Sequence, residues 1–110
     1  MKIGIIGGTG PAGSGLALRL NVAGYDVVIG SREKSRSIEK VKELQALWPS
    51  HKLTIQGGDN ADAVNCDLVV VATPWDSTAT IVGDYASQLA GKIVITMANA
   101  LVKVGKEFQP

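Results

Sequence analysis

The residues whose types and spacing could do chemistry stand at the start of this 110-residue chain. They are Gly8-Thr9-Gly10-Pro11-Ala12-Gly13, directly behind the apolar stretch Ile3-Gly4-Ile5-Ile6. A strand that runs into Gly-x-Gly-x-x-Gly and then into a helical pattern brings bare backbone up to a pyrophosphate. Gly8 is expected to make the tight turn off the strand, Gly10 to leave a phosphate room beside the backbone, and Gly13 to let the helix lie close on the sheet. N–H groups of the first helical turn, with the helix dipole behind them, then form an anion site. Glycine turns of this kind also occur without a ligand, so the strand before and the helix after carry the weight.

A second group follows at Gly30-Ser31-Arg32-Glu33-Lys34-Ser35-Arg36. In a dinucleotide fold this position, the end of the second strand, meets the adenosine ribose. A carboxylate there selects NAD, and an arginine accommodates the 2′-phosphate of NADP. No carboxylate ends the strand in this sequence. Ser31 can donate its hydroxyl, Arg32 offers a planar fork, and Lys34 or Arg36 can add charge from the first helical turn. Charge-assisted bonds contribute about 1.5–3 kcal/mol each, so two of them favour NADP by about 100-fold or more. Glu33 is expected to point away. A plain solvated helix start would carry a similar mixture, since residues 32 to 43 hold five basic and three acidic side chains.

Other chemistries find little to work with. Cys66 is the single cysteine, which excludes an internal disulfide and a thiolate metal cluster, and it reads as a small buried residue. His51, the single histidine, sits in a connecting segment after Pro49-Ser50 and reads as solvent-facing. Eleven basic against ten acidic residues give a charge of +1, so no nucleic acid is expected as a partner. There is no apolar run near eighteen residues, and the N-terminus reads as a core strand rather than a signal peptide, so a cytoplasmic protein without a membrane segment is expected.

The elements that must position these groups follow from periodicity. A helix is predicted over Pro11–Ala23, with Ala12, Leu16, Ala17, Leu20 and Ala23 as its apolar face and Gly24 as its stop. Tyr25–Gly30 is predicted as the second strand. A helix over Glu33–Trp48 should bury Ile38, Val41, Leu44, Leu47 and Trp48, and Pro49 ends it. Leu53-Thr54-Ile55 reads as a short third strand broken by Gly57-Gly58, and Asn60–Val64 as a brief helix behind an Asp59 cap. Asp67–Ala72 is a buried parallel strand, Asp76–Leu89 a helix burying Ile81, Val82, Tyr85 and Leu89, and Lys92–Thr96 a fifth strand. This order calls for an α/β, Rossmann-type, doubly wound parallel sheet of about five strands in one domain, residues 1–110. Val102-Lys103-Val104-Gly105-Lys106 looks like the start of a further element, so either the chain is a fragment of a larger enzyme or a homodimer contact or a partner chain is expected to cover the last sheet edge.

The strings Gly7-Gly8-Thr9-Gly10-Pro11-Ala12-Gly13, Gly15-Leu16-Ala17-Leu18-Arg19-Leu20, Val28-Ile29-Gly30-Ser31-Arg32 and Thr73-Pro74-Trp75 together resemble the coenzyme F420-dependent NADP oxidoreductases. The resemblance covers nearly the whole chain but only the N-terminal half of such proteins. It implies NADP binding through Thr9, Ser31 and Arg32, and hydride transfer between NADP and the reduced deazaflavin coenzyme F420. In such proteins a helical C-terminal domain, with dimer contacts and part of the deazaflavin pocket, follows the half that this chain matches. That transfer needs stacked rings and excluded water more than any acid, base or metal in the protein, so no catalytic side chain is expected.

Ligands of open α/β sheets sit beyond the carboxyl ends of the strands. Besides the two groups above, Thr73-Pro74-Trp75 and Met97-Ala98-Asn99 fall there. Thr73 could bond a ribose or phosphate, Pro74 stiffens the turn, and Trp75 either walls the nicotinamide or packs over the sheet end. Met97, Ala98 and Asn99 would line the place of the second cofactor. Three rivals share part of this pattern. A short-chain reductase would want Tyr-x-x-x-Lys, but Ile29 and Leu89 stand four residues after Tyr25 and Tyr85. An NADP-dependent reductase of another small substrate, of the imine or ketol-acid type, would share this half. A non-catalytic NADP(H)-binding or sensor module would need nothing more.

Overall fold

The structure, a computed structural model, describes residues 1–73 and 75–96. Strands β1 (Lys2–Ile6), β2 (Asp26–Ser31), β3 (Gln56–Asp59), β4 (Leu68–Val71) and β5 (Ile93–Thr96) alternate with helices α1 (Pro11–Val22), α2 (Lys34–Leu47), α3 (Asn60–Val64), α4 (Trp75–Asp84) and α5 (Ala86–Leu89). The strands form one parallel sheet in the order β3-β2-β1-β4-β5, so the winding reverses between β1 and β4. The doubly wound, five-stranded expectation is met. Alternate residues of each strand face opposite layers. Ile3, Ile5, Val27 and Ile29 pack with Ala17 of α1 and Leu44 of α2 on one face. Ile6, Val69 and Val71 pack with Ala63 and Val64 of α3 and Leu89 of α5 on the other.

Several expectations of detail are corrected. The inner face of α1 is Gly13, Ser14, Ala17 and Asn21, while Ala12 and Ala23 are exposed and Leu16 and Leu20 lie half-buried at the margin of the core. Close approach to the sheet selects small side chains, which an apolar count does not register. In α2 the buried residues are Ser37 and Leu44. Ile38, Leu47 and Trp48 are 40%, 67% and 45% exposed, so the helix turns a narrower face inward than its apolar residues suggest. Trp48 instead lies near His51, which is exposed, with ring centroids 6.1 Å apart.

The third strand is shifted. It is Gln56–Asp59 and contains Gly57-Gly58, the pair expected to break it. A Cβ at Gly57 would lie 2.7 Å from the Ile38 backbone nitrogen, so glycine is what lets α2 press onto this strand. Residues 53–55 stay outside the ladder, and side chains take the backbone N–H groups of the first two. The Leu53 N–H donates to Gln45 Oε1 at 3.0 Å and the Thr54 N–H to Asn21 Oδ1 at 2.9 Å. The predicted single helix over 76–89 is two, divided at Tyr85, with Val82 exposed and Ile81, Tyr85 and Leu89 packed inward. The Asp59 cap of α3 is present as a full capping box with Asp62. Cys66 is buried, as expected.

Candidate nucleotide-binding site

Strand β1 stops at Ile6 because Gly7 takes φ 70°, the left-handed turn conformation. The residue that makes this turn is therefore Gly7, not Gly8. Gly8 is constrained by packing: a Cβ there would lie 2.5 Å from Ile29 Cγ2. Its N–H donates to the Gly30 carbonyl at 3.0 Å and ties the glycine loop to the end of β2. Gly13 seats the helix, since a Cβ at this position would meet Gly8 Cα at 2.9 Å and Ala72 Cβ at 3.1 Å.

Gly10 differs from all of these. The nearest atom to a Cβ at Gly10 is the Gly7 carbonyl oxygen, 3.9 Å away, so the protein's own packing does not demand glycine there. The space a side chain would fill is open, which fits a phosphate group resting on the backbone. Gly10 also caps α1 in extended conformation with no side-chain bond, and Pro11 follows as the first helical residue. The Ser14 N–H returns to the Gly10 carbonyl at 2.9 Å. Helix geometry leaves the N–H groups of Ala12 and Gly13 without an intrahelical acceptor, and Ala12 is exposed. Thr9 and Gly10 are half-exposed beside them. This is the donor set an anion needs.

At the end of β2 the Ser31 side chain is buried. Its hydroxyl donates to the Glu33 carbonyl and accepts from the Ser37 hydroxyl at 3.2 Å. Its proton is thus already committed, and the bond ties Ser31 to the segment that carries Arg32. Arg32, Lys34 and Arg36 are exposed, and the ion pair found among the described residues is elsewhere, between Lys40 and Glu43 at 3.1 Å. Glu33 is exposed too. The uncompensated positive charge therefore gathers at the carboxyl end of β2. Thr73 lies beside the glycine turn, with its Cγ2 2.7 Å from where a Gly7 Cβ would be. Of Trp75 the structure describes only that it opens α4. Pro74, Met97, Ala98 and Asn99 lie outside the described residues.

The role of Gly7 escapes the spacing of the motif, and the doubled glycine is the signal that could have found it. Cys66 belongs to the opposite, amino end of β4. Burial pushes its thiol up from 9.0, against the pull of Lys2 and Lys92. Near it the Lys2 N–H donates to Asp67 Oδ2 at 2.9 Å.

A parallel sheet in this order, with a glycine-loop helix beginning at the β1/β4 reversal, defines a Rossmann-type α/β domain. The sequence signature described as NADP oxidoreductase, coenzyme F420-dependent, matches residues 2–100, and the chain belongs to that family. The F420-dependent NADP reductase of Methanothermobacter marburgensis is 32% identical over 96 residues, which is 86% of this chain and 43% of that protein. Its counterpart in Methanothermobacter thermautotrophicus is 34% identical over 96 residues, 86% of this chain and 41% of that protein. The one from Methanocaldococcus jannaschii is 36% identical over 100 residues, 88% and 44% respectively. The chain thus spans less than half the length of these curated relatives.

Proposed function

We propose that residues 1–110 form the NADP(H)-binding part of an oxidoreductase that moves a hydride between reduced coenzyme F420 and NADP. The observation that carries this reading is the joined pair of anion sites: the open Gly10 cradle and the unpaired cations after β2, linked by the Gly8–Gly30 hydrogen bond. The names of the relatives support the choice of cofactors. When bound, the two coenzymes supply the redox chemistry: a hydride passes between deazaflavin and nicotinamide rings, and the remaining proton exchanges with solvent.

The chain's residues bind and orient. Ala12 and Gly13 receive the pyrophosphate on backbone N–H groups beside the open Gly10, and Thr9 adds its hydroxyl. Arg32, with Arg36 or Lys34, takes the 2′-phosphate, on a loop that Ser31 holds in place. Thr73 reaches ribose or phosphate from the β4 side, next to Pro74 and Trp75. Met97, Ala98 and Asn99 line the way to the second cofactor. With β1 and β4 paired beneath the crevice, the glycine loop that follows β1 is held on rigid elements, which is what a reaction dominated by positioning needs.

No helix among the described residues is long and apolar enough to cross a membrane. A cytoplasmic setting is part of the proposal, as is a homodimer contact or partner chain over the β5 edge, where Ile93, Val94 and Ile95 are exposed. Titration with NADPH and NADH, followed by tryptophan fluorescence, tests the nucleotide site. Preferential NADPH binding is expected, and binding of neither overturns the reading. Turnover with reduced F420 then tests the reductase assignment, and tight NADPH binding with no turnover by the full-length protein would favour a non-catalytic module.

A further inference from the structure

Among the described residues, one buried side-chain polar atom has no hydrogen-bond partner: Asn60 Oδ1. Asn60 is 8% exposed and opens α3 directly after β3. Its neighbour Asp59 pairs with Ser31 in the β2–β3 ladder, so Asn60 stands one residue past the carboxyl ends of both strands. Gly30 lies against it, since a Cβ at Gly30 would be 3.1 Å from Asn60 Cα. The same Gly30 carries the carbonyl that accepts from the glycine loop. The Asn60 backbone therefore stands where the glycine loop and the Ser31-Arg32 segment meet.

Among the described residues no hydrogen bond accounts for an amide at this place. The cap of α3 is made by Asp59 and Asp62, which bond each other's backbone N–H groups at 2.8 and 3.0 Å. A buried amide oxygen left unpaired destabilises the protein that keeps it, and native structures keep few. No hydrogen bond fixes the rotamer of this side chain, so it can turn toward the crevice. The 2′-phosphate offers only acceptors and has no use for Oδ1. An adenine ring offers a donor and an acceptor side by side, its exocyclic amine and N7, which match one carboxamide face.

We propose that Asn60 reads the adenine ring of the bound nucleotide, with Oδ1 accepting from the exocyclic amine and Nδ2 donating to N7. The inference rests on the NADP reading above.

The test compares three ligands on the full chain by titration: NADPH, its hypoxanthine counterpart in which the amine is a carbonyl oxygen, and NADH. The wild-type chain should prefer NADPH over the hypoxanthine form by about tenfold. Asn60→Ala should bring that ratio close to one, keep the NADPH-over-NADH preference, and leave the melting temperature of the free protein unchanged or higher. Asn60→Leu, which fills the site with apolar atoms, should flatten the ratio in the same way and carries the test if the alanine variant folds poorly. A wild-type ratio near one, or variants that keep the wild-type ratio, would overturn the adenine contact while leaving the NADP site standing. No NADPH binding by wild type would overturn both.

Discussion

At the residue scale, glycines of one motif separate into those the fold needs and one it leaves free. Gly8 and Gly13 are each closed off by neighbouring atoms under 3 Å from a would-be Cβ, whereas Gly10 is not. Gly10→Ala should therefore cost the free protein under about 1 kcal/mol, the size of a helix-cap change, and still weaken NADPH and NADH together. Gly10→Val should block both. Thermal melts paired with nucleotide titration separate the two effects, and retained binding in Gly10→Val would reduce the loop to a turn. Arg32 faces solvent without an ion-pair partner, so its removal should spare stability. Arg32→Ala is expected to lower NADPH affinity by about 10- to 100-fold, as loss of one charge-assisted bond implies, and NADH affinity far less. Equal losses would sink the 2′-phosphate assignment.

At the element scale, the short helix α3 depends on bare backbone in two strands beneath it. A Cβ on Gly4 would lie 1.9 Å from the Ala63 carbonyl oxygen, and one on Gly30 2.8 Å from the Asp59 carbonyl oxygen. The contact at Gly4 is backbone against backbone and cannot relax by a rotamer change. Gly4→Ala is expected to destabilise by about 3 kcal/mol or more, read from chemical denaturation. Asp59→Ala, which opens the capping box, should cost only about 1 kcal/mol. Cys66, just after this helix, adds a pH dependence. Its thiol is raised above 9.0 by burial, so the unfolded chain loses that proton first as pH rises. Stability from this group is complete below about pH 9 and declines above it. Melting temperatures of Cys66→Ala should fall less steeply on the alkaline side than those of wild type.

At the scale of the whole molecule, the sheet is lopsided. β1, β2 and β4 are covered on both faces, whereas all four residues of β5 are exposed and Ile93 is 60% so. Exposed apolar residues on the outer strand of the described sheet invite association. Ile95→Lys should leave the melting temperature within about 1–2 °C, since exposed substitutions rarely change stability by more than about 0.5 kcal/mol. It should also reduce concentration-dependent scattering at neutral pH, and scattering equal to wild type would show that this edge is not a contact.

The sequence by itself determined the parallel alternation, the helix start at Pro11, the Asp59 cap and the places of the glycine loop after β1 and the basic segment after β2, because these depend on local spacing, turn chemistry and period. Tertiary structure decided what depends on distance between segments. It moved the third strand onto Gly57-Gly58, because α2 lies against those residues, and it gave the backbone groups of residues 53 and 54 to Gln45 and Asn21. It turned Ile38 and Leu47 outward and Ser37 inward, and it committed the Ser31 hydroxyl to Glu33. It also left Asn60 Oδ1 without a partner. Apolar periodicity records which side of a helix avoids water. It does not record how closely another backbone approaches, and that approach selects glycine, serine and asparagine at these contacts.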